Sequence, residues 1–210
     1  MIKLVHKWLQ HSRAFWSNQN GAAAVEYALT LPVFLLIVLG GMELGRVFMV
    51  NSAIEGAVTY TTRIAMTGDV PDGYADRETY LKDLVRDQLK AAGVTNNISI
   101  VTKLYDSFAN IGEPEIYTDT NGNNEYDEGE CFVDANGNGA WDLDRGGAGV
   151  GAGENIMVMD VGVELPYMSG WIGEIMTGTR TIRLSSSAVI KNEPFGGVKW
   201  TPSADQVNCG

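Results

Sequence analysis

The feature that most constrains this chain is an uncharged apolar run near its N-terminus. Residues 28–42 contain no charged side chain, and apolar residues continue through Val50. The run is bounded by Glu26 and Glu43, and it can span a bilayer core of about 30 Å if the charged groups reach toward the headgroups. A buried core helix is the alternative, but residues 29–39 are apolar almost all round, which favours lipid.

Charge is distributed unevenly about this run. Residues 1–21 carry no acid and three bases, Lys3, Lys7 and Arg13. This bias predicts a cytoplasmic N-terminus and an extracytoplasmic domain after the helix. The formal net charge is −11, so removing the three leader charges leaves −14 for the remainder. Such a surface repels nucleic acid, and we predict no nucleic-acid partner.

Histidine is confined to the leader, at His6 and His11. The exported part therefore lacks the side chain needed for Ser-His or Cys-His catalysis and for histidine-ligated zinc. We predict a protein that is not an enzyme. Cys131 and Cys209 can form one disulfide outside the cytoplasm, or remain two thiols; their spacing does not decide between these.

Periodicity predicts the secondary structure. The apolar stripe continues past the membrane run and predicts one helix over residues 22–66, ended by Gly68 and Pro71. A second helix is expected from Asp76 to Ala92. Alternating apolar residues predict three strands, at Ile98–Tyr105, Asn155–Tyr167 and Thr179–Lys191. The fold class is α+β: a long N-terminal helix, membrane-embedded in its first half, and a second helix packed on a small antiparallel sheet.

Four regions follow from these elements. Residues 1–21 are a basic cytoplasmic leader, residues 22–66 the transmembrane and extended helix, residues 67–193 an extracytoplasmic domain, and residues 194–210 an irregular tail. Within the domain, residues 113–154 are too long for an ordinary loop. That segment is either disordered or organised by something other than an apolar core.

Two acidic loops inside this segment have the spacing of calcium loops. They cover residues 119–130 and 134–145, and both place oxygen-bearing side chains at loop positions 1, 3, 5 and 9. The predicted ligands of the first loop are Asp119, Asn121, Asn123, Asp127 and, at position 12, Glu130. Those of the second are Asp134, Asn136, Asn138, Asp142 and, at position 11, Asp144.

The second loop is the less complete of the two, because Arg145 occupies its position 12, whereas the first loop has Asn124 in place of glycine at position 6. Tyr126 and Trp141 share position 8 as apolar anchors. Asx-rich turns without an ion are the alternative. The nearby pair Glu113 and Glu115 is interpreted as solvated surface.

A processing motif precedes the apolar run. A cleaved signal peptide would place a small-x-small cleavage site just after the run, but the run ends in Met42-Glu43-Leu44-Gly45-Arg46, with no A-x-A site. Before it the sequence reads Gly21-Ala22-Ala23-Ala24-Val25-Glu26-Tyr27, which resembles the site at which prepilin peptidases cut Flp-type prepilins after the glycine. With the Leu31-Pro32 pair and Glu43-Leu44-Gly45-Arg46, the region resembles TadE-like pseudopilins, minor components of the Tad (tight adherence) pilus machine.

This resemblance implies a pilin-like fold and a structural role in pilus assembly after cleavage between Gly21 and Ala22. Gly21, Ala22, Glu26 and Tyr27 would be the processing residues, and Glu26 would become the fifth residue of the mature chain. The implied partners are the prepilin peptidase, other Tad pilins and pseudopilins, and the inner-membrane pilus platform. The implied location is the inner membrane, single-pass, with the domain in the periplasm or carried into an extracellular pilus.

Two other functions are compatible with the same residues. A membrane-tethered, calcium-dependent surface-binding protein or adhesin would use the acidic loops for binding a cell or matrix ligand. A tethered hydrolase would need paired carboxylates in a cleft, which a sequence does not reveal.

Overall fold

The structure, a computed structural model, describes residues 20–95, 97–194, 196, 200–203 and 207–209. The chain divides into two compact units, Met1–Val47 and Phe48–Gly210. Most of the predicted leader lies outside the described residues, as does part of the predicted tail.

The first element, α1 (Asn20–Thr67), is one continuous helix, close to the predicted 22–66. Among the described residues it is the one helix long and apolar enough to cross a membrane, judged by length and composition. Pro32 lies inside it; its ring removes one backbone donor and so leaves one carbonyl without its helical partner. The helix ends where Gly68 adopts a left-handed φ of 72°, which glycine tolerates without strain.

The second helix, α2 (Arg77–Ala91), begins where Asp76 caps it. The Asp76 carboxylate accepts a hydrogen bond of 2.7 Å from the Thr79 N–H, and this bond lowers the pKa of Asp76 below its usual value. The sequence predicts an apolar face of Leu81, Leu84, Val85 and Leu89. In the structure Leu81, Val85 and Leu89 are buried, at positions i, i+4 and i+8, and Leu84 is half-buried.

Within the described residues, six strands and a third helix follow. The strands are β1 (Ile98–Tyr105), β2 (Phe132–Val133), β3 (Gly147–Ala148), β4 (Ile156–Pro166), β5 (Thr181–Lys191) and β6 (Val207–Asn208). The helix α3 (Gly170–Thr177) lies between β4 and β5, and a 3₁₀ turn covers Phe108–Asn110. The main sheet has the antiparallel order β3-β1-β4-β5, while β2 and β6 form a separate two-stranded ribbon.

The predicted α+β class is confirmed, and the three predicted strands occur as β1, β4 and β5 within two residues of their expected ends. Sequence periodicity did not predict α3, and it did not predict that residues of the tail pair with β2. The predicted irregular tail is therefore partly ordered, since Val207 and Asn208 form the ribbon with Phe132 and Val133.

The larger core of the second unit lies on one face of the main sheet, and a smaller cluster of Tyr105, Ile156 and Val158 lies on the other. On the larger-core face of β4, the buried side chains are Met157, Met159, Val161, Val163 and Leu165. They alternate along the strand, so all five point to the same face. From α1, the buried apolar residues of this unit are Val50, Ile54, Ala57, Val58 and Ala65. Full burial of each large side chain stabilises the fold by roughly 1.5–3 kcal/mol.

A close contact between Gly147 and Trp200 provides a stability prediction. A Cβ added at Gly147 would lie 2.5 Å from Cζ2 of Trp200. The Trp200 backbone is itself held by Asn155, whose side chain donates to the Trp200 carbonyl at 2.8 Å and accepts from its N–H at 3.0 Å. Because the ring cannot withdraw freely, Gly147→Ala should lower the free energy of unfolding by about 1–3 kcal/mol.

The matched control is Gly162→Ala, also within a strand of the main sheet. Its added Cβ would lie 3.8 Å from the Ser99 Cβ, an ordinary contact. Thermal unfolding of the two variants should therefore separate them, with the loss confined to Gly147→Ala. Equal melting temperatures would contradict the predicted role of the Trp200 contact.

Candidate functional site

The residues of the processing motif lie in the first two turns of α1. Gly21, Ala22, Glu26 and Tyr27 are all helical and all exposed. No atom outside the local helix backbone lies within 4 Å of the Cβ position at Gly21, so the glycine side of the motif is open. Ala22 and Glu26 are four residues apart and thus share one face of the helix.

Two polar features mark the apolar part of this helix. The Thr30 hydroxyl donates to the Glu26 carbonyl at 2.9 Å, so this polar group is satisfied within the helix. Near the other end of the apolar run, Arg46 and Glu43 form an ion pair at 3.8 Å. Both arrangements reduce the cost of placing polar groups at a membrane edge.

The second candidate site is formed by the two acidic loops, which have the same internal hydrogen bonds. In the first loop, Asp119 accepts from the N–H groups of Gly122 at 2.6 Å and Asn124 at 2.9 Å. In the second, Asp134 accepts from Gly137 and Gly139, each at 2.7 Å. The carboxylate at position 1 therefore holds positions 4 and 6 in both loops.

Position 9 receives the amides of positions 3 and 5. Asp127 accepts from the side chains of Asn121 at 2.6 Å and Asn123 at 2.8 Å. Asp142 accepts in the same way from Asn136 at 2.7 Å and Asn138 at 2.5 Å. Side-chain hydrogen bonds thus join the predicted ligands at positions 3, 5 and 9 in each loop, while the position 1 carboxylate binds the loop backbone.

The residue at position 6 differs between the loops, but its backbone conformation is left-handed in both. Asn124 has φ 62° and Gly139 has φ 83°. Asparagine is one of the few residues with a Cβ that enters this left-handed region at low cost. The absence of glycine from the first loop is therefore compatible with the shared conformation.

Each loop is closed by a buried glutamate. Glu130, at position 12 of the first loop, accepts from the N–H groups of Thr120 at 2.7 Å and Asp127 at 3.1 Å. Glu115 does the same for the second loop, accepting from Ala135 at 2.7 Å and Asp142 at 3.2 Å. In both loops the N–H donors belong to the residues at positions 2 and 9. Glu115 thus supplies the acid that the second loop lacks at its own position 12.

Glu115 is only 1% exposed, so its interpretation as solvated surface is wrong. Sequence analysis missed its role because it examined each loop as a separate segment of twelve residues. A repeat of fifteen residues carries the signal: a glutamate stands four residues before the first aspartate of each loop, as Glu115 before Asp119 and Glu130 before Asp134. In three dimensions each repeat closes the loop of the other.

Asp144 does not close the second loop. Its carboxylate pairs with Lys103 and accepts from the Tyr105 hydroxyl at 2.8 Å and the Gly146 N–H at 3.0 Å. Burial opposes ionisation of Asp144, but these donors outweigh it and the pKa lies below its usual value. Burial and the Asp144 hydrogen bond raise the pKa of Tyr105. Asp144 therefore attaches the end of the loop to β1.

Aromatic rings join the two loops to each other. Tyr126 and Trp141, both at position 8, stack with centroids 4.6 Å apart and planes at 14°. Tyr117 contacts both rings edge-on, and the Trp141 indole N–H donates to the Glu115 carbonyl at 3.0 Å. The two predicted anchors are thus one aromatic cluster between the loops.

A disulfide fastens this region to the C-terminal segment. Cys131 and Cys209 are bonded at 2.02 Å, beside the β2–β6 ribbon. The Asn208 side chain also donates to Asp134 at 3.4 Å, and the Ser203 N–H donates to the Ala135 carbonyl at 3.1 Å. Residues 113–154 are therefore organised by hydrogen bonds, aromatic contacts and a covalent link.

The structure gives less direct evidence for a metal site in the acidic loops. No group of three or more His, Cys, Asp or Glu side chains within the described ranges is placed to hold a metal ion. The loops combine two aspartates each with two asparagines, whose amide oxygens are also calcium ligands. Backbone N–H donors lower the pKa of Asp119 and Glu130, chiefly those of Asn124 and Thr120 respectively, so both remain ionised at neutral pH.

Comparison with known families bears on the first site. One family model, described as TadE-like protein, matches residues 21–63. This segment is TadE-like. The match begins at Gly21 of the processing motif and extends along α1 to Arg63. No curated protein and no solved structure matches the chain.

The TadE-like match associates the chain with the Tad pilus and with the membrane. TadE-like pilus proteins are structural, which agrees with a non-enzymatic role. The apolar part of α1 has the length and composition of a membrane-spanning helix, which indicates anchoring in a membrane.

Proposed function

We propose that this protein is a minor pseudopilin of a Tad-type pilus and acts in pilus assembly. The observation that carries the proposal is the TadE-like match, which begins at Gly21 and covers the apolar helix that a pseudopilin would use for membrane insertion. In this proposal residues 1–21 are a leader, residues 22–66 the anchoring helix, residues 67–193 the periplasmic domain and residues 194–210 its tail.

Cleavage after Gly21 would change the electrostatics of the helix start. It would create an α-amine at Ala22 with a pKa of about 7.7–8, mostly protonated at neutral pH. Glu26 lies one turn away on the same face of α1, so it could pair with this amine or with that of a neighbouring subunit. Such pairing offsets the cost of a carboxylate at the membrane edge.

The proposed partners follow from this role. The prepilin peptidase would recognise Gly21 together with Glu26 and Tyr27. Other Tad pilins and pseudopilins and the inner-membrane platform would contact the anchored chain. The proposed topology is single-pass in the inner membrane, with the acidic domain in the periplasm or carried into a pilus.

The N-terminus of the protein isolated from its native membrane tests the proposal. We expect mass spectrometry to find a mature chain beginning at Ala22. Gly21→Leu should abolish the chain that begins at Ala22, because the peptidase would meet a bulky side chain at the residue before the cut. Gly45→Leu, in the same helix but outside the motif, is the matched control and should be processed normally. An intact N-terminus in cells with an active prepilin peptidase would refute the processing.

We further propose that calcium binds the two acidic loops. Support comes from the duplicated arrangement, in which each loop gathers two aspartates and two asparagines around positions 1, 3, 5 and 9 and is closed by a buried glutamate. Extracellular calcium modules bind with Kd of about 10⁻⁴–10⁻³ M. Millimolar calcium should therefore raise the melting temperature of the full chain, and a chelator should lower it.

A further inference from the structure

The turn between β4 and β5 exposes an unusual amount of apolar surface. Met168 is 61% exposed, Trp171 57% and Ile175 77%. Trp171 and Ile175 are four residues apart on α3 and so lie on one face of that helix. Large side chains grouped in this way on a surface indicate a contact with lipid or with another protein.

Contacts on the opposite face of α3 fix the outward direction of Trp171 and Ile175. A Cβ added at Gly173 would lie 2.2 Å from the Tyr167 ring, so the glycine backbone is pressed against that ring. Two residues correspond to about 200° of rotation, which places Gly173 opposite Trp171 and Ile175. Gly178 ends the helix with a left-handed φ of 72°, and the Tyr167 N–H donates to the Arg180 carbonyl at 3.0 Å. The outward direction of the apolar pair is thus built into the turn.

The position of the turn within its unit follows from contacts at the other end of the sheet. There Ile156 pairs with Lys191, and the Glu193 N–H donates to the Met66 carbonyl at 3.2 Å. The C-terminal end of α1 therefore lies at this end. Pro166 and Thr181 pair at the far end, where α3 is attached.

The direction of α1 across the sheet can be deduced from its burial. It is buried from Val50 to Ala65, about 22 Å of helix at 1.5 Å per residue. Four strands spaced by about 4.8 Å are only about 14 Å across. Because the buried helix is longer than the sheet is wide, a direction along the strands is favoured. Val50, near the point where the chain enters this unit, then lies toward the end that carries α3.

The charge of the turn differs from that of the rest of the domain. Residues 164–183 contain Glu164, Glu174, Arg180 and Arg183 and carry no net charge, whereas residues 22–210 together carry −14. The side chains of Arg180 and Arg183 are 75% and 79% exposed, although each is paired with a glutamate. A headgroup phosphate would therefore meet less repulsion here than at the acidic loops, beside guanidinium groups that remain exposed.

We propose that α3 contacts the bilayer surface, with Trp171, Ile175 and Met168 inserted at the interface and the two arginines beside the lipid phosphates. Tryptophan is enriched at membrane interfaces because its ring is apolar and its N–H is polar. A second contact of this kind would hold the domain against the membrane at its entry end. The inference rests on anchoring through α1 and is independent of pilus membership.

Quenching by brominated lipid tests this contact in the full chain. The protein is reconstituted in vesicles of phosphatidylethanolamine and phosphatidylglycerol, with or without bromine near the headgroup end of the acyl chains. Trp8→Phe and Trp16→Phe remove the leader tryptophans, leaving Trp141, Trp171 and Trp200. With one of the three remaining rings at the interface, bromination should remove about a third of the emission.

Trp171→Phe should abolish that loss, and the matched control Trp141→Phe should retain it. Ile175→Glu, which keeps the fluorophore, should reduce the loss because a carboxylate disfavours insertion. Flotation with the vesicles reports anchoring through α1 separately. If the protein floats but bromination leaves Trp171 emission unchanged, the proposal is overturned. If Trp171 emission instead depends on the protein-to-lipid ratio, the apolar surface of α3 contacts a second protein, and the proposal is also overturned.

Discussion

Serine replacements at Cys131 and Cys209 together lower the free energy of unfolding by about 4.5 kcal/mol. The bond joins residues 78 apart in sequence, so breaking it releases a long loop in the unfolded chain. In the folded protein the β2–β6 ribbon pairs only two residues from each strand, which gives the C-terminal segment little other attachment there. The measurement is chemical unfolding of the full chain in detergent, followed by tryptophan emission.

Reductant provides the internal control for this prediction. Reduction of the natural chain should produce the same loss, while the double serine variant should not respond to reductant. A loss below about 1 kcal/mol would contradict the entropic account. Such a result would mean that closing this loop restricts the unfolded chain far less than its length implies.

The regular elements were accessible from sequence because each has a complete local signal. The alternation in Ile98–Tyr105 defined β1 to the residue, and Asp76 provided the cap that begins α2. The helix α3 has no such signal. Among its described side chains, Trp171 and Ile175 are exposed while Gly173 is pressed against Tyr167, a pattern that apolar periodicity does not reveal.

The acidic loops were only partly predictable, for a different reason. Spacing within each loop indicated which residues share local hydrogen bonds, because the side chains at positions 3, 5 and 9 lie close in sequence and bond to one another. The closing acid of the second loop is a long-range contact, and Glu115 lies nineteen residues before Asp134. Nearness in sequence favoured Asp144, which instead pairs with Lys103 on β1. The β2–β6 ribbon is too short to produce a periodic pattern.

Glu115→Gln should be the most damaging single substitution in the acidic loops. The buried carboxylate accepts from Ala135 and Asp142, and glutamine would present an amide N–H₂ to one of these donors. Loss of a hydrogen bond to a charged acceptor, with a donor left unpaired in a buried site, costs about 3 kcal/mol. Glu113→Gln is the matched control, since Glu113 is exposed and two residues away. Thermal unfolding of the full chain without calcium should show the loss for Glu115 alone.

Calcium separates the structural role of Glu115 from a role in ion binding. If both loops bind the ion, millimolar calcium should raise the melting temperature of the natural chain, and magnesium should substitute poorly because it demands a smaller octahedral shell. The double variant Asp119→Ala, Asp127→Ala should remove the first loop's share of the rise in melting temperature. The double variant Asp134→Ala, Asp142→Ala should remove the second loop's share. Because Glu130 and Glu115 close the loops identically, the two shares should be similar.

No shift in melting temperature and no heat of binding at several millimolar calcium would identify the loops as Asx turns closed by glutamate. The loss caused by Glu115→Gln would persist in that case, because it arises from backbone donors that need no ion.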